Sequence, residues 1–243
     1  MRALVVLPTY QEAENIETVL GRIRDAVPEA EVLVVDDGSP DGTADLAEGT
    51  GERLGQVHVL RRTEKSGLGP AYRAGFTWGL ERDFDVLVEM DADLQHDPAM
   101  LPRLLDAVDS GPADLAIGSR YVPGGSVAGW PTSRRLLSQW GNRYIGLMLH
   151  MPVRDATAGY RAYRSTIIEK IGLERVRADG YGFQIEMAYE VNKAGGVIVE
   201  LPITFRERTQ GTSKMAPNIV GEAMWLVTKW GLRDRWAKLR SRA

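Results

Sequence analysis

Short apolar runs alternate with longer amphipathic segments through the first half of the chain, and this alternation restricts the fold more than any other feature. The pattern is typical of βαβ units that build a parallel sheet. It predicts strands at residues 3–7, 31–35, 57–60, 86–90 and 113–117. Helices are expected between them, including one that begins near Asp41 and one over residues 68–80. The chain is therefore predicted to form an α/β fold with a mainly parallel central sheet.

The pattern changes after Gly118, where residues 123–126 are typical of a turn or loop. Beyond them the sequence predicts helices at 133–150 and 181–193 and strands at 160–163 and 197–203. Because proline has no amide hydrogen, Pro202 is expected to place the last strand near a sheet edge. The residues from Pro217 onward are rich in tryptophan and become strongly basic. We therefore expect a globular domain at residues 1–216 and an amphipathic, basic helical segment at 217–243.

The composition limits the kinds of protein that the chain can be. Of its 243 residues, 44% are hydrophobic, which is enough for one domain with a buried core. Cysteine is absent, so disulfides and thiolate metal sites are excluded, and a reducing compartment such as the cytoplasm is expected. No run approaches the roughly 20 apolar residues of a membrane-spanning helix. The net charge of -3 argues against nucleic acid as a partner.

Two carboxylates, Asp91 and Asp93, stand where a predicted strand ends. Open α/β sheets bind ligands at the carboxyl ends of their strands, so this position favours a ligand site. With the amide oxygen of Gln95, the two side chains form a set of oxygen donors that suits Mg²⁺ or Mn²⁺. Such a metal would bridge a diphosphate and offset charge on a departing nucleotide. A solvated acidic turn is the alternative for an Asp-x-Asp segment considered alone.

Acidic and turn residues also follow the first two predicted strands. Asp36 and Asp37 could accept hydrogen bonds from a base or a ribose, or they could belong to an ordinary turn capped by Asp41. Tyr10 could stack on a base and Glu12 could accept from it, although helix capping would explain Glu12 equally well. Both segments are therefore candidates for a nucleotide pocket.

The segment at residues 65–71 supplies a cation, small residues and a helix start, which together suit the binding of an anion. It matches neither the Walker A motif nor the Gly-x-Gly-x-x-Gly motif of dinucleotide-binding proteins. Kinase and dehydrogenase functions therefore lose their main sequence support.

Six motifs, taken in order, resemble those of the dolichol- and polyprenol-phosphate mannosyltransferases of glycosyltransferase family 2. They lie at residues 7–12, 35–43, 65–69, 90–96, 118–121 and 205–214. The resemblance implies a GT-A fold, a GDP-mannose donor and a polyprenyl phosphate acceptor. It further implies Mg²⁺ or Mn²⁺ and inversion at the sugar carbon, which gives a β-mannosyl phosphate.

Residues that match the motifs of that family take the roles that the resemblance implies. The nucleotide pocket would be lined by Pro8, Tyr10, Glu12, Val35, Asp37, Lys65 and Gly67. The metal and diphosphate site would be formed by Asp91, Ala92, Asp93 and Gln95. The phosphate groups of donor and acceptor would be bound by the basic residues Arg120, Arg134, Arg208 and Lys214, which with Asp93 form the implied catalytic set. The acceptor side would be shaped by Asp155, Thr157 and Arg161.

The chemistry of a phosphate acceptor fits these residue types. A lipid phosphate is already anionic near neutral pH, so its transfer needs no side chain to deprotonate it. The enzyme must instead bring two anions together, and arginine is suited to this because it binds phosphate oxygens in pairs. Glu186 is accordingly expected to orient Lys214 or an arginine, with a structural ion pair as the alternative.

Many members of that family carry C-terminal transmembrane helices, which this sequence lacks. Residues 225–242 instead predict an amphipathic helix whose apolar stripe is Trp225, Leu232, Trp236 and Leu239, with basic residues around it and Trp230 off the stripe. We expect peripheral attachment to the cytoplasmic face of a membrane. Packing on the domain, a membrane-anchoring partner or a fused subunit are the alternatives. A second helical stripe, formed by Leu137, Trp140, Tyr144 and Met148, is expected to face the core, with lipid as the alternative.

Two other functions stay open from the sequence. The same fold could use UDP-glucose to glucosylate a polyprenyl phosphate, since nothing in Asp36 and Asp37 distinguishes guanine from uracil. The chain could also be a non-catalytic scaffold that binds a nucleotide sugar. Such a scaffold would bind GDP-mannose without forming a lipid-linked product.

Overall fold

The computed structural model describes residues 1–206 and 219–240. The strands of this part of the chain are β1 (Ala3–Thr9), β2 (Glu31–Asp36), β3 (Val57–Arg61), β4 (Val86–Glu89), β5 (Leu115–Ser119), β6 (Ser126–Ala128), β7 (Arg161–Arg164), β8 (Ile198–Pro202) and β9 (Thr204–Arg206). Its α-helices are α1 (Ile16–Ala26), α2 (Thr43–Leu54), α3 (Leu68–Leu80), α4 (Leu101–Asp109), α5 (Thr132–Leu149), α6 (Ser165–Ile171), α7 (Tyr181–Lys193) and α8 (Ile219–Arg240). Short 3₁₀ helices lie at Pro98–Met100 and Leu173–Arg175.

Seven strands form the central sheet in the order β3-β2-β1-β4-β7-β5-β8. Only β7 runs antiparallel to its neighbours in this sheet, and the other pairs are parallel. The predicted α/β fold with a mainly parallel sheet is thus confirmed. Because β1, β2 and β4 are adjacent and parallel, their carboxyl ends lie side by side. A second, two-stranded sheet pairs β6 with β9.

Side chains of the central strands alternate between two hydrophobic cores, one on each face of the sheet. Leu4 and Val6 of β1 pack in one core with α3 and α7. Val5 and Leu7 pack in the other, with α1 and α4. All four side chains are fully buried, because helices cover both faces of a sheet built from βαβ units. The ends of the strands, and not their faces, are therefore available to a ligand.

The predicted elements agree closely with the structure where the sequence pattern is strong. α3 and α7 have the predicted bounds, and β8 lies at the sheet edge as Pro202 indicated. β6 was missed because its first residue lies in the predicted loop at 123–126 and all three of its residues are half-buried or exposed, so they show no buried alternation. The antiparallel direction of β7 was also not foreseen, since direction depends on the chain path and not on local pattern.

The helix α8 packs one of its faces on the domain. Ala223, Val227 and Trp230 are buried in the first core, and the Trp230 ring stacks on Tyr189 with centroids 5.9 Å apart. The predicted stripe faces outward, where Trp225, Leu232, Trp236 and Leu239 are all exposed. The division at residue 216 stays a prediction, because the intervening segment lies outside the described residues.

The expectation for α5 was partly wrong. Leu137 and Trp140 are 60% and 59% exposed, whereas Tyr144 and Met148 pack against the core as predicted. The reason is that α5 lies at the outside of the molecule beside α8, so only part of its length has a neighbour to pack against. No helix in the described part of the chain is long and apolar enough to cross a bilayer.

The contact of α3 with β1 supplies a test of the packing. An added methyl group at Gly75 would lie 2.4 Å from Cγ1 of Val6, so Gly75→Ala should lower the free energy of unfolding by about 1–3 kcal/mol. The matched control is Gly49→Ala in α2, where an added methyl group meets nothing within 4 Å and better helix propensity should raise stability by up to about 1 kcal/mol. Urea unfolding measures both, and equal stability of the two variants would contradict this packing.

Candidate functional site

One cavity of about 640 Å³ opens at the carboxyl ends of β1, β2 and β4. Most positions that the resemblance assigned to the site line it: Pro8, Tyr10, Glu12, Asp37, Lys65, Gly67, Asp91, Ala92, Asp93, Gln95, Arg120 and Arg134. They come from segments up to 126 positions apart in sequence, joined by the parallel register of the strands. The cavity therefore collects the predicted nucleotide, metal and phosphate residues in one place.

A tight turn follows β4 and presents the two acids. The carboxylate of Asp93 accepts a hydrogen bond from the backbone N–H of Gln95 at 3.0 Å, and Leu94 between them has a φ of 61°. A positive φ is costly for leucine, and such strain is found where a site requires a particular backbone path. The Gln95 side-chain amide in turn donates to the carbonyl of Arg206 in β9 at 3.0 Å. The turn is thus anchored to the small sheet.

His96, the last residue of the 90–96 motif, supports this turn, a role that the sequence analysis did not assign to it. Its Nδ1 accepts a hydrogen bond from the backbone N–H of Asp91 at 3.2 Å. The ring is buried and stacks on Tyr160 with centroids 4.9 Å apart. Burial lowers the pKa of His96 to about 4, so the ring is neutral at pH 7 and its 3.9 Å approach to the Asp91 carboxylate is not an ion pair. His96 therefore acts as a rigid hydrogen-bond acceptor.

The donor set at this turn fits a divalent cation. The Asp91 side chain is 35% exposed and lines the cavity, whereas Asp93 is buried beside it. A Cβ added to Gly159 would lie 3.8 Å from Oδ2 of Asp91, so the glycine keeps the space next to the acid open. Among the described residues, no three His, Cys, Asp or Glu side chains cluster as a complete metal site. Two carboxylates and an amide leave room for substrate oxygens and water, as Mg²⁺ and Mn²⁺ sites commonly do.

The two acids after β2 have different surroundings. Asp36 accepts hydrogen bonds from the hydroxyl of Thr9 at 2.9 Å and from the backbone N–H of Ser39 at 2.8 Å, so it holds the turn. Asp37 reaches the cavity and pairs with the Arg62 guanidinium at 2.8 Å. Burial raises the pKa of Asp37, against the opposing effect of Arg62. Of the two open interpretations, a ligand role fits Asp37 and a turn role fits Asp36.

The rest of the nucleotide side is built from β1 and the loop before α3. The ammonium group of Lys65 lies 4.3 Å from the centroid of the Tyr10 ring. Glu12 accepts a hydrogen bond from the side chain of Asn15 at 3.0 Å, just before α1, and also lines the cavity. Val35 differs from the prediction, because its side chain is fully buried in the core. The alternation along β2 turns Val35 to the sheet face covered by α3.

Arg120 forms the most buried ion pair of the cavity. Its Nε and one terminal nitrogen donate to the two carboxylate oxygens of Asp155 at 2.7 and 2.6 Å, and the same nitrogen donates to the hydroxyl of Thr157 at 2.9 Å. The Arg120 and Asp155 side chains are 6% and 0% exposed. The predicted phosphate-binding arginine is thus held in a fixed position, with its charge matched by Asp155.

Arg161 fixes the loop that carries Asp155. Its fully buried guanidinium donates to the carbonyls of Ala156 and Ala158, each at 2.7 Å, and to the carbonyl of Gln184 at 2.6 Å. The loop before β7 and the first turns of α7 are thereby joined. Arg161 does not line the cavity itself, but it holds in place the loop whose residues Thr157 to Gly159 do, so its role in shaping the acceptor side stays a prediction.

Glu186 also makes contacts other than those expected. Its carboxylate accepts hydrogen bonds from the backbone N–H groups of Arg177 and Ala178, both at 2.8 Å. This arrangement holds the segment before α7 and involves backbone groups instead of an arginine side chain. Lys214, its other expected partner, lies outside the described residues, as does Arg208.

Aromatic side chains complete the cavity near the start of α5. The Arg134 guanidinium lies 4.0 Å from the centroid of the Trp130 ring, and Trp130 meets Phe205 edge to face. The sequence analysis did not identify Trp130, Phe205 or Gln184 as lining residues. Their location at the cavity depends on contacts between elements that are distant in sequence, and local sequence patterns do not predict such contacts. Arg134 therefore stands at an aromatic part of the cavity rim.

The buried ion pair supplies a test of the site's architecture. Asp155→Ala would leave the Arg120 guanidinium buried without its carboxylate, so we expect the free energy of unfolding to fall by about 3–5 kcal/mol. The matched control is Asp45→Ala, which removes an ion pair with Arg61 whose side chains are 77% and 48% exposed and should change stability by less than about 1 kcal/mol. Urea unfolding would contradict the assignment if the two variants lost the same stability.

Comparison with known proteins gives concordant results. The model of the family described as "Glycosyl transferase family 2" matches residues 4–172. An undecaprenyl-phosphate mannosyltransferase of Micrococcus luteus is 56% identical over 100% of this chain and 99% of that protein. A polyprenol monophosphomannose synthase of Mycolicibacterium smegmatis is 52% identical over 98% of this chain and 90% of that protein.

A solved structure shows the same fold at much lower identity. A mannosyltransferase of Pyrobaculum calidifontis in complex with GDP-Man and Mn²⁺ superposes with a TM-score of 0.60 at 19% identity, covering 99% of this chain and 74% of that chain. The predicted GT-A fold and the predicted resemblance to polyprenol-phosphate mannosyltransferases are both confirmed. This chain belongs to glycosyltransferase family 2.

Proposed function

We propose that the protein transfers mannose from GDP-mannose to a polyprenyl phosphate and releases GDP. The observation that carries this proposal is the meeting of the Asp91 and Asp93 carboxylates with Arg120 and Arg134 in one cavity. Such a cavity suits a reaction between an anionic donor and an anionic acceptor. The names of the bacterial relatives, which are similar to this chain over its whole length, give the same reaction class and the acceptor.

The donor occupies the part of the cavity formed by β1, β2 and the loop before α3. Tyr10 and Lys65 lie together there, and Asp37 is available to accept hydrogen bonds from the nucleoside. GDP-mannose is favoured as the donor because the relatives are named for mannose transfer and a mannosyltransferase of the same fold is bound to GDP-Man. Pro8, Glu12 and Gly67 complete this side.

Asp91, Asp93 and Gln95 would hold Mg²⁺ or Mn²⁺ beside the donor diphosphate. The bound cation supplies positive charge that offsets the charge developing on departing GDP. Hydrogen bonds within the protein fix the positions of these three residues, since the Asp93 to Gln95 turn is bound to β9 and the Asp91 backbone is bound to His96. The ligands of the cation would consequently need little rearrangement when the diphosphate binds.

The transfer is a single displacement at the anomeric carbon. A phosphate oxygen of the acceptor forms the new bond to this carbon as the bond to the GDP oxygen breaks, and the bonding pair leaves with GDP. The acceptor is already ionised, so no proton has to be removed by the protein. Attack from the face opposite the leaving group inverts the configuration and gives a β-mannosyl phosphate.

The basic residues divide between fixed and outward positions. Arg120 is buried and paired with Asp155, which suits a constant electrostatic role near the reacting groups. Arg134 is exposed at the first turn of α5, which suits contact with the acceptor phosphate. Arg208 and Lys214 are proposed to complete the phosphate site on the evidence of sequence alone.

The acceptor reaches the cavity from a membrane surface. Leu136, Leu137, Trp140 and Leu147 of α5 and Trp225, Leu232, Trp236 and Leu239 of α8 are exposed large apolar side chains on neighbouring helices. Exposed cations of α8, namely Lys229, Arg233, Arg235 and Arg240, accompany them. Aromatic and aliphatic side chains among cations are typical of peripheral binding to anionic lipid. We propose attachment to the cytoplasmic face, directly or with a membrane-anchoring partner.

The function is tested by incubating the protein with polyprenyl phosphate, MnCl₂ and either GDP-mannose or UDP-glucose. We expect a mannosylated lipid phosphate from GDP-mannose, at a rate at least about 100-fold above that with UDP-glucose. Mass spectrometry of the extracted lipid identifies the product. Transfer from UDP-glucose alone would establish the glucosyltransferase alternative, and binding of GDP-mannose without a lipid product would establish the scaffold alternative.

The role of the acidic turn is tested with Asp93→Asn, which keeps the size of the side chain and removes its charge. Turnover should fall at least about 100-fold, because the charge that holds the cation is lost, while thermal unfolding changes little. The control is Asp106→Asn, at an exposed position of α4 away from the cavity. Retention of full turnover by the Asp93 variant, or of full wild-type turnover after removal of divalent cations, would count against this assignment.

The membrane surface is tested by sedimentation with vesicles that contain anionic lipid. Trp140→Ala in α5 and Trp236→Ala in α8 should each weaken binding about tenfold, because an exposed tryptophan leaves water on binding. Binding should also weaken at high salt. Leu46→Ala in α2, which is 39% exposed, is the control expected to bind normally. Unchanged binding of both tryptophan variants would show that this surface does not contact lipid.

A further inference from the structure

Gln184 in α7 is a cavity-lining residue that none of the roles above uses. Its side chain is only 2% exposed, yet both its amide nitrogen and its amide oxygen lack a hydrogen-bond partner among the described residues. Buried amides are nearly always paired, and an exception in a ligand cavity indicates that a ligand supplies the partner. Because both ends lack a partner, this holds for either orientation of the amide.

The Gln184 amide lies beside the acidic turn. A Cβ added to Gly159 would be 3.3 Å from Nε2 of Gln184 and 3.8 Å from Oδ2 of Asp91, so both groups border the same small space. The backbone of Gln184 is fixed there, because its carbonyl accepts the 2.6 Å hydrogen bond from Arg161. The amide is thus held near the proposed diphosphate site.

A comparison with Asn142 shows that burial alone does not leave an amide in this state. The Asn142 side chain is buried as deeply, and its oxygen also lacks a partner among the described residues, but its nitrogen donates to the carbonyl of Ser138 at 3.0 Å and to the hydroxyl of Thr157 at 3.2 Å. Asn142 therefore has a structural role within the protein. Gln184 makes no such contacts with its amide within the same part of the chain.

The missing partners define the chemistry of the ligand group. The amide nitrogen requires an acceptor and the amide oxygen requires a donor. A phosphate that is ionised at neutral pH offers hydrogen-bond acceptors. Each sugar hydroxyl, in contrast, offers a hydrogen-bond donor and an acceptor. We propose that Gln184 binds hydroxyl groups of the donor hexose and is a residue that determines which sugar is accepted. This inference rests on the proposed function for the identity of the donor.

The test compares ligand affinities by calorimetric titration in the presence of Mn²⁺. The ligands are GDP, GDP-mannose and the 2-, 3-, 4- and 6-deoxy derivatives of GDP-mannose. We expect the wild-type protein to bind at least one derivative about tenfold more weakly than GDP-mannose, since the derivative lacks a hydrogen bond in a buried site. Gln184→Met should bind GDP normally and GDP-mannose about tenfold more weakly, and it should no longer distinguish that derivative.

The control is Gln139→Met in α5, outside the cavity lining, which should behave as the wild-type protein does. The inference is overturned if Gln184→Met keeps the wild-type discrimination among the derivatives, or if the wild-type protein loses no affinity for any of them. The second criterion needs no variant, so it holds even if the substitution prevents folding.

Failure of the proposed function would give a different pattern. A wild-type protein that binds UDP-glucose in place of GDP-mannose would refute the donor assignment, and the same comparison with deoxy derivatives of UDP-glucose would then decide the role of Gln184. Binding of free nucleotides without any gain or discrimination from an attached sugar would overturn both.

Discussion

The buried guanidinium of Arg161 is the interaction on which the cavity wall depends. By donating to the carbonyls of Ala156, Ala158 and Gln184, it joins the loop before β7 to α7. The same loop carries Asp155, which holds Arg120. Backbone carbonyls that would otherwise be buried without hydrogen-bond donors thus gain partners. The loop before β7, the helix α7 and the Arg120 side chain are thereby fixed relative to one another. The acidic turn after β4 lines the same cavity as the loop that Arg161 holds in place.

The sequence was sufficient to predict the sheet and the acids at its strand ends, because both follow from local periodicity and from the geometry of parallel strands. It was insufficient for His96, Arg62 and Gln184, whose surroundings depend on contacts between elements distant in sequence. Val35 was misplaced because a motif match does not specify which sheet face a side chain occupies. The outward face of α5 escaped prediction for a similar reason, since an apolar helical stripe is compatible with either core or lipid.

The proposed chemistry and the proposed membrane surface meet at α5. Its first turn carries Arg134 at the cavity rim, and the same helix continues into the exposed side chains of Leu137 and Trp140. A lipid phosphate bound near Arg134 could therefore leave its chain at the apolar surface of α5 and α8. In the proposed reaction, the donor and the lipid phosphate would meet in this one cavity.

The configuration of the product tests the central claim most directly. The protein is supplied with GDP-mannose and a short polyprenyl phosphate, and the anomeric centre of the isolated product is assigned from its one-bond carbon–hydrogen coupling by NMR. A single displacement by the acceptor phosphate predicts a β-mannosyl phosphate. An α-mannosyl phosphate would contradict it, because retention requires a second displacement or attack from the face of the leaving group.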